Sequence, residues 1–110
     1  MTIYTHSQTA LRLGKLVELF KDGQVSEITA QTIGKLIDYE INQARANLEA
    51  TEKDLAVYEK RFGMSTKDFF KKYQTGKTDD SAESVEWASL AQMAERIRQR
   101  LEFLMSENSK

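Results

Sequence analysis

The chain predicts an all-α fold: a long antiparallel helical hairpin with a coiled-coil seam and a short connector helix, in a single helical domain over residues 1–110. Three observations carry this expectation. The 110 residues include no proline and only five glycines, so helix breakers are few. Ala, Leu, Glu, Lys, Gln and Arg, the strong helix formers, dominate the remainder. Apolar residues recur in steps of three and four, and no alternating strand pattern or internal repeat interrupts them.

The first helix is expected from about Gln8 to Asp22. Its apolar positions are Ala10, Leu13, Leu16, Val17 and Phe20, and Gly23 offers a left-handed stop. After a turn at Gln24-Val25-Ser26, a second helix opens near Glu27 to Thr29 and meets no strong stop before Gly63. That is about 53 Å of helix at 1.5 Å per residue. Ile37, Ile41, Ala44, Leu48, Thr51, Leu55, Tyr58 and Phe62 mark its seam at heptad spacing, and Gly34 should weaken its start. Ser65 and Asp68 fit a capping box, and Met64 with Phe69 fits a hydrophobic staple, so a third helix should run from Thr66 to about Thr75. Gly76 ends it, and the polar loop to Ser81 caps a fourth helix reaching about Met105. The seam of this last helix is Trp87, Leu90, Ala94, Ile97, Leu101 and Leu104.

Helix lengths let the first and fourth helices fold back along opposite ends of the second, which makes each level two helices thick. Yet Leu36, Tyr39, Ala46, Ala50 and Val57 give the second helix a further apolar or small-residue face. This face is the expected oligomer interface, in a dimeric four-helix arrangement or a heteromeric complex.

A formal net charge of -1 conceals segregation. Residues 60–77 hold six Lys or Arg and one Asp, a net +5, whereas residues 78–95 hold five acids and no base, a net -5. The blocks either pair with each other across the loop or serve as partner surfaces. The candidate partner-binding residues drawn from them are Phe70, Tyr73, Asp79, Asp80, Glu83, Glu86 and Trp87. Trp87 reads first as core from its seam position, with an interface anchor as the alternative. Lysines interleaved with aromatics around Lys67 to Lys77 also allow a nucleic-acid-binding module.

Catalytic equipment is sparse. The chain has no cysteine, which removes disulfides, thiolate nucleophiles and cysteine metal sites, and its one histidine, His6, reads as a surface residue near the start. Asp79 and Asp80 precede a helix, where acids meet the helix dipole, so capping explains them without a metal. No glycine-rich phosphate loop is present, and Glu83 with Glu86 lacks the histidine of a di-iron element. No cofactor, metal or small-molecule substrate is implied. With no apolar run near 18 residues and no basic-then-apolar leader, the expected location is the cytoplasm.

The stretch Tyr58 to Ala91 carries a family likeness. It combines the run Tyr-Glu-x-x-Phe-Gly-Met-Ser-x-x-x-Phe, then Gly76, the paired Asp79-Asp80 and the Glu86-Trp87 element. In these features it resembles small helical antitoxins of two-gene toxin-antitoxin pairs, of the TumA type. The likeness covers about a third of the chain, and residues 81–85 depart from the acids and aromatics of the family pattern. The resemblance implies no catalysis; it implies a protein that binds and neutralises a small toxin encoded beside it. A self-assembling coiled-coil scaffold is the other non-enzymatic alternative.

Overall fold

A computed structural model describes residues 3–106; the first two and last four residues of the expected 1–110 domain lie outside them. Four helices follow in order, α1 (His6–Lys21), α2 (Glu27–Phe62), α3 (Thr66–Gln74) and α4 (Ala82–Met105), with no strand among the described residues. The all-α expectation and the connector helix are therefore observed.

Local chemistry sets each boundary. Helix α1 begins two residues before the expected Gln8, because Thr5 and Gln8 form a reciprocal capping box. The Gln8 N–H donates to Thr5 Oγ1 at 3.1 Å, and the Thr5 N–H donates to Gln8 Oε1 at 2.8 Å. Gly23, at φ 67°, ends α1 in a Schellman motif: the Gln24 N–H reaches Leu19 O at 2.8 Å and the Gly23 N–H reaches Phe20 O at 3.1 Å. Ser26 then accepts from the Thr29 N–H and starts α2. Gly34 sits inside α2 without breaking it.

At the other end of α2, Gly63 adopts φ 62° and the Met64 N–H donates to Glu59 O at 3.3 Å. Only the Ser65 half of the next capping box forms, with the Asp68 N–H donating to Ser65 Oγ at 3.1 Å. The Thr66 N–H is taken instead by Glu59 Oε2 at 2.7 Å, so Glu59 ties the end of α2 to the start of α3 through both its carbonyl and its carboxylate. Placing a side chain on the left-handed Gly63 backbone is strained even though a Cβ there would meet no neighbour within 4 Å. Gly63→Ala is expected to cost about 1–2 kcal/mol, read as a lower thermal midpoint by circular dichroism.

The chain divides into two compact units, Met1–Asp38 and Tyr39–Lys110, where the sequence suggested one domain. The division falls inside an uninterrupted helix, so no linker composition marks it.

In the larger unit, α2 and α4 run antiparallel. Their partners count in opposite directions: Arg45 with Met105, Glu52 with Arg98, Tyr58 with Glu86 and Arg61 with Glu83. The core is Leu55, Phe69, Trp87, Ala88 and Ala94, flanked by half-buried Leu48, Tyr58, Met64, Phe70, Tyr73, Leu90 and Ala91. Met64 packs on the same cluster as Phe69, as the staple reading expects. Thr51 is the polar member of the seam; its hydroxyl donates to Asn47 O at 2.8 Å, which removes the cost of burying it.

The smaller unit differs from its expectation. Helix α1 was to cover the first part of α2, but no described residue before Asp38 is buried, and Ile37, the first seam position, is exposed. Leu16, Phe20, Val25, Thr29, Ala30 and Ile33 reach only half-burial, because two short helices have only one contact stripe each to share.

Candidate functional site

Two of the concavities on the larger unit are framed by more than one helix, while a third, about 650 Å³, is lined by the end of α4 alone, from Gln99 to Ser106. The wider of the two, about 920 Å³, is a groove to which α2, α3 and α4 all contribute. Its apolar lining is Leu55, Phe70 and Ala91, and its charged lining is Glu52, Glu59, Glu95, Lys67, Arg96 and Arg98. Four of these groups have partners. Arg98 bonds Glu52 at 3.1 Å and lies 3.6 Å from Glu95, and Glu59 holds the Thr66 N–H. Lys67 and Arg96 make no ion pair or hydrogen bond among the described residues, so the groove offers two free cations beside an apolar lining, within a charged lining of three acids and three bases.

The narrower recess, about 350 Å³, has walls of Phe62, Met64, Phe69 and Trp87 and includes Lys72, Lys77, Asp79 and Glu83. Its aromatic wall is a stack. Trp87 lies on Phe69 with ring centroids 3.9 Å apart, and Tyr58 and Phe62 each lie 5.6 Å from the indole. The indole N–H donates to Thr66 Oγ1 at 3.0 Å, which fixes the ring orientation.

The candidate residues separate into distinct roles. Phe70 lines the wide groove, while Tyr73 packs half-buried between Phe69 and Phe70. Trp87 is only 3% exposed, so of its two readings the structure has it as core, supporting the surface from beneath. Asp79 is engaged in capping: its Oδ1 accepts from Ser84 Oγ at 2.6 Å, Ser81 Oγ at 2.7 Å and the Ser81 N–H at 3.2 Å. Asp80 is exposed. Glu83 pairs with Arg61, and Glu86 accepts from the Tyr58 hydroxyl at 2.7 Å. The two charge blocks thus meet through Arg61 and Glu83, while Lys60, Lys67, Lys71, Lys72 and Lys77 stay exposed and unpaired among the described residues. The oligomer-interface residues Leu36, Tyr39, Ala46, Ala50 and Val57 are all exposed. Sequence spacing does not reveal the groove charges Glu52, Glu59, Glu95, Arg96 and Arg98, because the groove is framed by three separate helices and Phe70 on α3 has no periodic relation to the α4 seam.

Two titrations follow from this geometry. The hydroxyls of Ser84 and Ser81, with the Ser81 N–H, hold the Asp79 carboxyl below its ordinary range. A lowered carboxyl value contributes stability that is present above about pH 4 and lost as pH falls through the folded value. Urea midpoints measured through this acid limb should fall less steeply for Asp79→Asn than for the parent. The Tyr58 phenol is pushed up to about 12, chiefly by its hydrogen bond to Glu86 and then by burial and the Glu86 charge. Its contribution is present below the ordinary value of 10.0 and lost as pH rises through about 12. Ultraviolet phenolate titration should show a late component that is absent in Tyr58→Phe.

Among the described residues, no group of three or more His, Cys, Asp or Glu could hold a metal ion, and no buried side-chain nitrogen or oxygen lacks a hydrogen-bond partner. The groove can therefore offer shape, apolar contact and two cations. No described helix is long and apolar enough to cross a membrane. Comparisons with protein-family models, curated proteins and solved structures find no match to this chain.

Proposed function

We propose that the chain is a non-enzymatic, cytoplasmic interaction protein, the antitoxin of a two-gene pair, which binds a small partner toxin on its larger unit and occludes it. The observation that carries this reading is the wide groove: Leu55, Phe70 and Ala91 offer an apolar seat, and Lys67 and Arg96 beside it make no ion pair or hydrogen bond among the described residues. Such a seat suits an amphipathic segment with an apolar anchor and flanking acids. The resemblance over Tyr58 to Ala91 points the same way. Co-expression with the product of the adjacent gene is expected to give a co-purifying complex and to relieve growth arrest caused by that product. Free partner, with arrest unrelieved, would refute it.

Exposed Lys60, Lys67, Lys71, Lys72 and Lys77 favour nucleic-acid binding as the second reading. Burial of Phe69 and half-burial of Tyr73 leave little aromatic platform for stacking bases, which weighs against it. A salt-dependent mobility shift with RNA or DNA, abolished by Lys71→Glu with Lys72→Glu, would support this second reading over the first.

A further inference from the structure

Each unit owes its structure to contacts of a different kind. In the larger, bonds join residues far apart in the chain: the Trp87 indole N–H donates to Thr66 Oγ1, the Tyr58 hydroxyl donates to Glu86, and Arg98 pairs with Glu52. In the smaller, every hydrogen bond and ion pair of the described residues is local. Thr5 bonds Gln8, Glu18 pairs with Lys21, Gln24 reaches Leu19 and Ser26 bonds Thr29. These contacts set where α1 starts and stops and where α2 starts, but none fastens α1 to α2.

What fastens α1 is apolar contact alone, and there is little of it. Half-buried Leu16, Phe20, Val25, Ala30 and Ile33 make up the apolar interior of this unit, and none of its described residues is buried. Leu11, Leu13, Val17 and Leu19 stay exposed along α1. The helix is also weak in itself. At 16 residues it is near the length at which an isolated helix is marginal in water, and Gly14 in its interior adds the conformational cost of glycine. Helix α2 is better supported. Buried Ala44, Thr51 and Leu55 anchor its later turns, and extension of an existing helix avoids the cost of nucleation.

We propose that the smaller unit is a hairpin that opens by itself: α1 melts while the larger unit stays folded and α2 stays helical from Gly34 onward. Opening bares Leu16, Phe20, Ala30 and Ile33, so a local equilibrium presents to solvent apolar side chains that the closed hairpin half-covers. The groove on the larger unit plays no part in this, and either proposal can fail alone.

Amide hydrogen exchange of the free full chain, in buffer and in urea below the unfolding transition, tests it. Residues 10–21 should be at least about a hundredfold less protected than residues 44–55 and 88–97, with residues 38–43 at least about tenfold more protected than residues 10–21. Urea should speed exchange steeply in the two core segments and only weakly in α1, because local opening exposes little surface. Gly14→Ala, whose added methyl meets nothing within 4 Å, should raise protection of residues 10–21 about fivefold and leave both core segments within about twofold of the parent. Smaller differences in protection than these would overturn the proposal. So would a Gly14→Ala gain of equal size in both units, the mark of a single cooperative unfolding.

Discussion

Trp87→Ala is expected to cost about 3–5 kcal/mol and to unfold much of the larger unit under conditions where the parent is folded. The indole is the centre of the only extensive core in the described residues. It lies on Phe69 at 3.9 Å and is flanked by Tyr58 and Phe62, three partners supplied by α2 and α3. Removing it opens a cavity at the junction of three helices and leaves the Thr66 hydroxyl without its donor. Trp87→Phe keeps the stack but not the bond to Thr66, and should cost about 1–2 kcal/mol. Urea denaturation followed by circular dichroism separates the two variants. A midpoint shift below that of Trp87→Phe in the alanine variant would mean that the stack contributes little.

The second large effect concerns binding. Lys67→Glu combined with Arg96→Glu should weaken the complex with the proposed partner toxin by about a hundredfold, about 3 kcal/mol. Both side chains line the groove, both are exposed and neither has an intramolecular partner among the described residues. Reversing them therefore leaves the fold within about 0.5 kcal/mol of the parent while replacing attraction by repulsion toward an acidic segment. The loss should shrink as salt is raised, since exposed charges are screened. Calorimetric titration at two salt concentrations, with a thermal melt of the free variant, measures all three quantities.

Most helix boundaries were legible because they depend on neighbours in sequence. Gly23, Gly63 and Gly76 adopt positive φ and end α1, α2 and α3, and Ser65 and Ser81 cap the helices that follow. The α4 seam was legible for the same reason, since period alone puts Trp87, Ala94 and Ile97 on the buried side. What escaped the sequence depends on distance. The Thr5–Gln8 capping box is the local exception, readable from its spacing, whereas Glu59 serving both ends of a turn requires the turn itself. The groove is a further case: Leu55, Phe70 and Ala91 belong to three helices, and no spacing rule relates them. Periodicity could say that a residue such as Leu13 faces the core side of α1, but not whether a second layer within the chain would cover it.

The most direct test of the proposed function is amide hydrogen exchange on the full chain with and without the partner toxin. Slowed exchange at the start of α3, around residues 66–70, and along residues 91–99 of α4 is the predicted result, since these segments frame the groove. A complex that leaves both segments exchanging at their free rates, or the failure of any complex to form, would contradict it.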